Sequence, residues 1–272
     1  MSDALLTPWL QRWDLVPDGE AFTTTFGSRL MPVRLGREPA MLKIAGSKEE
    51  QAGGALMVWW AGEGAARVLR RKGEALLLER AGGPRSLAAM ARGDKDDEAM
   101  AILCQNAARL HAPREGPPPP SLVPLQTWFR ALAPTAAREG GVFRRALAAA
   151  GPLLADPREV RVLHGDLHHD NVLDGEARGW LAIDPKGLLG ERGYDYANMI
   201  CNPDIETVRH PGRFQRRIAL VAKAANLEPR RLLAWVLAYA GLSAAWTVRG
   251  GGDASPAIEI ARLAAAELGP PA

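Results

Sequence analysis

The stretch His164-Gly165-Asp166-Leu167-His168-His169-Asp170-Asn171, followed by Ile183-Asp184-Pro185-Lys186-Gly187, decides how this chain is read. Residues Val160 to Leu163 ahead of it read as a short strand, after which the chain breaks into a polar loop dense in histidine and aspartate. Val172-Leu173-Asp174 and Gly179-Trp180-Leu181-Ala182-Ile183 are then two apolar runs joined by Asp174-Gly175-Glu176-Ala177-Arg178, and the Asp-Gly dipeptide signals a hairpin. Pairing about a centre between Ala177 and Arg178 sets Asn171 opposite Asp184. Cross-strand partners lie about 4.5 to 5.5 Å apart at Cβ, so an amide oxygen and a carboxylate share one small volume. That volume suits a cation.

Working outward, 272 residues with 47% hydrophobic content supply a core for one large domain or two lobes. The net charge of +3 comes from scattered arginines rather than a basic run, and the eight tryptophans lie mostly within apolar stretches. Nucleic acid is therefore set aside as a partner. Cys104 and Cys201 form no CxxC or framework spacing, and Met1-Ser2-Asp3-Ala4 lacks the basic-then-apolar opening of a signal peptide, so a cytoplasmic monomer is expected. The uncharged run from Leu232 to Trp246 falls short of the roughly 17 to 25 residues of a membrane span and reads as a buried helix.

Before the decisive stretch, Phe22 to Ser28, Leu30 to Leu35 and Ala40 to Ala45 read as three antiparallel strands. Lys43 lies on the strand face opposite Leu42 and Ile44, where an unaided lysine is ordinarily a solvated edge charge. Ser47 and Glu50 form a capping box ahead of Leu56, Trp59 and Trp60, which predicts a helix of about 14 residues. Glu50 either serves that cap or turns toward Lys43. Residues 65–71 and 75–80 add strands, giving five. Past Ala81-Gly82-Gly83-Pro84 the pattern turns helical over 87–91, 97–111, 125–139, 143–154, 194–200, 213–225, 228–248 and 256–267. The expected lobe boundary falls there, with residues 1–81 as an N-terminal lobe and 82–272 as a helical C-terminal lobe. Pro117 to Pro120 predict a stiff surface connector.

A small sheet with one helix, a Gly-Gly connection, a helical lobe and a polar hairpin is the layout of a protein-kinase-like, two-lobed α+β fold. His164-Gly165-Asp166-Leu167, with Asn171 five residues after the aspartate, has the kinase catalytic-loop spacing, and Asp184 stands where the Asp-Phe-Gly aspartate would. Gly165, where protein kinases carry Arg, together with Ile-Asp-Pro-Lys-Gly, resembles the aminoglycoside phosphotransferase superfamily. Leu77-Leu78-Glu79-Arg80, Leu167 to Asn171 and Gly190-Glu191-Arg192-Gly193-Tyr194-Asp195-Tyr196-Ala197-Asn198 resemble its streptomycin 6-phosphotransferase and hydroxyurea-resistance kinase branch. The likeness runs from about Phe22 to Trp246.

This resemblance implies ATP-dependent phosphorylation of a hydroxyl on a small molecule, a streptomycin-like aminoglycoside or hydroxyurea, with Mg²⁺ as the metal. Asp166 would be the base, and Asn171 and Asp184 the Mg²⁺ ligands. Lys43 would contact the α and β phosphates, paired with Glu50 or Glu49. Thr24, Thr25, Gly27 and Ser28 would cover the phosphates without a GxGxxG motif, and Leu78 to Ala81, including Glu79 and Ala81, would hydrogen-bond adenine through the main chain. Asp195 and His164 would brace the catalytic loop, His168 and His169 would be a packing and an exposed residue, and Asp170 would face water. A cationic acceptor calls for carboxylates, for which Asp204, Glu206, Asp253 and Glu259 are the candidates.

Three other readings compete. His164, Asp166, His168, His169 and Asp170 have ligand types that suit a metallohydrolase, although His111 and His210 lack neighbours of the right kind. A pseudokinase is opposed by the presence of Lys43, Asp166, Asn171 and Asp184 together. A housekeeping kinase for another metabolite would carry the same machinery. Product formation without nucleotide would single out the hydrolase.

Overall fold

A computed structural model describes residues 3–24 and 27–270. Leu6, Trp9, Leu10 and Trp13 recur at helical spacing and form the inner face of α1 (Thr7–Trp13), which leads into β1 (Leu15–Pro17). There follow β2 (Phe22–Thr23), β3 (Arg29–Leu35), β4 (Glu38–Ile44), α2 (Lys48–Trp60), β5 (Val68–Lys72) and β6 (Ala75–Glu79). The sheet is antiparallel in the order β1-β3-β4-β6-β5, with β2 also on β3. It has six strands rather than five because Leu15 to Pro17 pair with Leu35 to Val33.

Strand alternation divides the sheet between two cores. Leu42, Ile44, Ala75 and Leu77 pack with Leu6 and Trp13, whereas Leu76 and Leu78 join Leu56, Met57 and Trp60 of α2 in the core that continues into the helices. Lys43, opposite Leu42, therefore points to the α2 side and is only 6% exposed, which removes the reading as a solvated edge charge. Residues 65–66, expected in the fourth strand, leave the sheet. Ala66 N donates to Ala182 O at 2.9 Å and Ala182 N to Gly64 O at 2.9 Å.

The second part comprises α3 (Leu87–Arg92), α4 (Asp96–His111), β7 (Val123–Pro124), α5 (Leu125–Trp128), α6 (Leu132–Glu139), α7 (Gly141–Ala155), β8 (Val160–Leu163), β9 (Val172–Asp174), β10 (Trp180–Ala182) and β11 (Leu188–Glu191). It closes with α8 (Gly193–Ile200), α9 (Ile205–Val208), α10 (Arg213–Ala225), α11 (Pro229–Arg249) and α12 (Ser255–Leu268). The single helix expected over 125–139 is interrupted by a 3-10 turn at Phe129–Ala131. Pro134 explains the break, since it lacks an N–H and its ring crowds the carbonyl four residues back. The connection between the two parts is pinned at Gly83, whose N–H donates to Asp174 O at 2.9 Å. A Cβ at residue 83 would lie 2.2 Å from Asp174 Cγ, so only glycine passes there. Arg85 completes the pin, with Nε and Nη2 each 2.7 Å from a different oxygen of the Asp174 carboxylate.

α11 is long and apolar enough by composition to cross a membrane, but 61% of its apolar window is buried against α7, α8 and α12. Its Trp235 Nε1 donates to the buried Glu191 at 2.7 Å. α10 is held to α4 by an ion pair in which Arg217 is fully buried and its Nε lies 3.1 and 3.2 Å from the Asp96 oxygens. Arg217 Nη1 also donates to Ile200 O at 3.0 Å, at the end of α8. Removing one partner of such a pair leaves an uncompensated charge. Asp96→Ala is expected to cost about 3 to 5 kcal/mol in urea unfolding. Asp97→Ala, which breaks an exposed pair with Arg216, is expected to cost under about 1 kcal/mol; equal losses would contradict this.

Candidate active site

The loop 164–171 between β8 and β9 is shaped by a carboxylate that lies outside it. Asp195, one turn into α8 and fully buried, accepts from His164 N at 2.9 Å and Gly165 N at 2.8 Å, and its Oδ2 is 2.9 Å from His111 Nε2. Burial penalises its charged form, yet the His111 contact, the nearby histidines and the Gly165 N–H together hold the carboxyl below its usual range. His164 is fixed in turn. Its Nε2 donates to Ile183 O at 2.8 Å, its Nδ1 accepts from Asp166 N at 3.2 Å, and its ring stacks on Trp60. Burial depresses its basicity, so the neutral ring with hydrogen on Nε2 fits both bonds. Asn171 Nδ2 then donates to Asp166 O at 2.9 Å, and Asn198 Nδ2 approaches Asp166 Oδ1 at 3.4 Å.

The hairpin register is one residue off the expected one. Trp180 pairs with Asp174, Leu181 with Leu173 and Ala182 with Val172, which centres the turn on Ala177. Asn171 accordingly faces Ile183, whose N–H donates to Asn171 O at 2.9 Å. The cause is the 3-10 turn Glu176–Arg178, closed by Gly175 N to Gly179 O at 2.7 Å. Asp184 takes a left-handed φ of 57° and leaves the strand, and it lines the same cavity as Asn171.

Lys43 bridges the two parts of the molecule. Its Nζ is 2.7 Å from Asp184 Oδ1 and 3.5 Å from Glu50 Oε1. Glu50 therefore turns to the lysine rather than closing a reciprocal cap. Ser47 Oγ still accepts from Glu50 N at 3.2 Å, but the Glu50 carboxylate accepts from Gly46 N at 2.7 Å and from the Ser28 hydroxyl. Burial disfavours its ionisation, and the Ser28 hydroxyl, Lys43 and the Gly46 N–H outweigh that to keep its carboxyl below the usual range.

A cavity of about 240 Å³ brings Lys43, Glu50, Asp166, His168, Asn171, Asp184 and Lys186 together with Thr24. Asp184 and Asn171 offer one carboxylate and one amide oxygen to a metal, Asn171 Nδ2 being committed to Asp166 O. This set fits Mg²⁺, which takes one or two protein oxygens alongside water and phosphate. It does not fit a histidine-rich metal site. Among the described residues no group of three or more His, Cys, Asp or Glu is placed to hold a metal.

Several expected residues are placed otherwise. Thr25 lies outside the described residues. The N–H groups of Thr24, Gly27 and Ser28 close their own turn, onto Ser28 O, Thr24 O and Thr24 Oγ1 respectively, and the Ser28 hydroxyl points to Glu50. Of these residues Thr24 lines the cavity. Glu79 and Ala81 do not line the cavity, and the Glu79 carboxylate is held by Arg67 and by Arg178 Nη2 at 2.8 Å. Asp204, Glu206, Asp253 and Glu259 are also elsewhere. Asp204 caps α9 through Thr207 N at 2.8 Å and pairs with Arg92, Glu206 and Glu259 share Arg209, and Asp253 accepts from Ser255 N. The expectation for the two histidines is reversed as well. His169 is the packed residue, 1% exposed, while His168 forms part of the cavity wall; Asp170 is exposed. Sequence reasoning passed over His111, whose partner Asp195 is 84 residues away, and Lys186, whose Nζ lies 3.1 Å from Glu49 Oε1.

Residues 12–251 match the family of aminoglycoside/hydroxyurea antibiotic resistance kinases. A streptomycin 3''-kinase of Klebsiella pneumoniae is 53% identical over 247 residues, 89% of this chain and 92% of that one. A streptomycin 6-kinase of Streptomyces griseus is 32% identical, covering 97% and 88%. In structure, aminoglycoside phosphotransferase APH(3'')-Id of Streptomyces rimosus, in complex with ADP and streptomycin, superposes with a TM-score of 0.60 over 89% of this chain and 99% of that one, at 20% identity. The chain is a phosphotransferase acting on hydroxyl groups. The chain belongs to the aminoglycoside/hydroxyurea antibiotic resistance kinases.

The buried carboxylate of Asp195 provides a test of the loop. Its folded-state carboxyl lies below the ordinary 3.8, so the unfolded chain takes up the proton first as pH falls. The stabilisation is complete above that ordinary value and is lost as pH drops through the lower folded one. Asp195→Asn, which leaves a loop N–H without an acceptor, is expected to cost about 2 kcal/mol at pH 7. In urea unfolding between pH 3 and 7 the gap between wild type and variant should narrow toward pH 3; a constant gap would refute the linkage.

Proposed function

We propose that this chain is an ATP- and Mg²⁺-dependent streptomycin kinase of the cytoplasm, transferring the γ-phosphate to the 3''-hydroxyl. The observation that carries the reading is the convergence of Asp166, Asn171, Asp184 and Lys43 on one cavity, joined to 53% identity with a streptomycin 3''-kinase against 32% with a 6-kinase. Hydroxyurea, acceptor of a relative 32% identical over 93% of this chain, is the second candidate.

Phosphoryl transfer asks the protein for positioning, charge neutralisation and a proton acceptor. Asp166 takes the acceptor proton, its main-chain carbonyl held by Asn171 and its Oδ1 approached by Asn198. Asn171 and Asp184 would hold Mg²⁺, which when bound neutralises charge on the β and γ phosphates. Lys43 is kept extended by Glu50 and Asp184 for the phosphate chain. The two free, buried cysteines accord with a reducing compartment.

Incubation with ATP, Mg²⁺ and streptomycin, followed by phosphorus NMR of the product, is expected to show one phosphate, on the 3''-hydroxyl. No turnover of streptomycin would reject the proposal, and consumption of hydroxyurea instead would favour the second candidate. Asp166→Asn is expected to leave ADP affinity near wild type and to cut kcat at least about 100-fold; full activity would remove Asp166 as the base. For Asp184→Ala, ADP affinity should lose its dependence on Mg²⁺ in calorimetric titration, and an unchanged Mg²⁺ dependence would strike it from the ligands.

A further inference from the structure

The cavity that holds Asp166 has two cationic side chains, Lys43 and Lys186, against the carboxylates of Glu50, Glu74, Asp166 and Asp184. Acid therefore predominates where a nucleotide triphosphate has to be received, and Lys43 is already shared between Glu50 and Asp184. Transfer of a phosphoryl group spreads negative charge over the three oxygens of the group in flight, and preorganised cations facing those oxygens lower the barrier. Lys186 is the remaining cation of the cavity, and three features fix its position.

First, its backbone is bonded to the catalytic loop, Lys186 N donating to His164 O at 2.7 Å. Second, the loop comes close at Gly165, which has a φ of 83° and at which an added Cβ would lie 3.0 Å from Lys186 Cβ. The lysine stem thus begins one residue from the Asp166 backbone. Third, its ammonium is held at 3.1 Å by Glu49, and Lys186 is mostly buried, its side chain 19% exposed. That contact depends on α2 lying directly on the chain before Lys186. At Gly53 an added Cβ would fall 2.1 Å from Pro185 O, so helix and loop meet backbone to backbone. Neighbouring glutamates on one helical turn, Glu49 and Glu50, consequently hold the two lysines of the cavity, Lys186 and Lys43.

We propose that Lys186 is a further catalytic residue, contacting the transferring γ-phosphoryl group, and that Glu49 is the residue that positions it. This rests on the kinase reading above. In the step itself the acceptor oxygen forms a bond to the γ-phosphorus while the bond from that phosphorus to the β-γ bridging oxygen breaks. The proton of the acceptor hydroxyl goes to Asp166, ADP departs with the electron pair of the broken bond, and Lys186 offsets the charge on the group as it passes. Lys43 serves the phosphates that remain with ADP, and Lys186 serves the one that leaves.

This division gives a test that does not need the acceptor to be known. Calorimetric titration of full-length wild type, Lys186→Met and Lys186→Arg with ADP and with the non-hydrolysable β,γ-methylene analogue of ATP, each with Mg²⁺, separates the γ-phosphate from the rest. For Lys186→Met the expectation is unchanged ADP affinity, about tenfold weaker binding of the ATP analogue, and a fall of about 100-fold in kcat on whichever acceptor the wild type phosphorylates. Lys186→Arg should recover part of both, and Glu49→Gln should lower kcat with little change for ADP. Equal weakening of both nucleotides, or no change in either, overturns the role. Should Lys186→Met lower the melting temperature markedly, Lys186→Gln carries the same comparison. A wild type that turns over no acceptor defeats the substrate assignment, while the nucleotide pair still decides on Lys186.

Discussion

The molecule's chemistry depends on one buried carboxylate that does not itself face the cavity. Asp195 accepts from the N–H groups of His164 and Gly165 and meets His111 on a third side. A charge with no exposure is tolerable because each oxygen has donors, and removal of any one would leave a strong acceptor in a medium that cannot solvate it. What this achieves is local rigidity. The loop backbone is fixed at two successive residues immediately before Asp166, whose carboxylate, approached by Asn198 Nδ2 at 3.4 Å, stays partly open to the cavity.

The second organising contact is steric. Gly53 lets α2 rest on Pro185, and from that contact follow the two glutamate–lysine pairs that span the cavity. Glycine inside a helix costs about 1 kcal/mol of helix propensity relative to alanine. Here the loss is offset by what the close approach permits, since any side chain at residue 53 would push the helix away from Asp184 and Lys186. The Gly83 contact with Asp174 works in the same way at the connection between the sheet and the helices.

Much of this was legible in the chain because the chemistry is concentrated locally. The spacing of Asp166, Asn171 and Asp184 and the strand position of Lys43 are short-range features, and the structure brings all four to one cavity. α10 begins and ends at the expected residues, Arg213 and Ala225. The hairpin register was missed by one because an Asp-Gly dipeptide announces a turn without saying whether its loop holds an even or odd number of residues; the 3-10 turn on Ala177 makes it odd. His111 was dismissed because its partner is distant in sequence. Charge alone points to the acidic residues expected at the acceptor, and charge does not show that Asp204 pairs with Arg92 and that Glu206 and Glu259 share Arg209. The segment over 125–139 shows the opposite failure, in which a Pro134 visible in the sequence was overruled by helical composition.

The hairpin β9–β10 is fastened by main-chain bonds, by an amide side chain and by the Arg85–Asp174 and Arg178–Glu79 ion pairs. Ala66 and Gly64 bind Ala182, Gly83 binds Asp174, Asn106 Nδ2 binds Gly64 O and Trp180 O, and Ile183 O and Lys186 N bind His164. A wall joined in this way yields only by breaking several backbone hydrogen bonds together with those pairs. The facing wall differs, because the last turns of α2 are anchored by Leu56, Met57 and Trp60 whereas its first turn reaches the cavity through Glu49 and Glu50, two ion pairs at its open end. The Lys186–Glu49 pair, whose Glu49 side chain is 44% exposed, weakens with ionic strength, whereas the nearly buried Lys43–Glu50 pair is screened much less. The cleft therefore has one jaw tied along its length by backbone bonds and one tied to it at the first turn of a helix, and dissolved salt reaches that turn through the exposed Glu49.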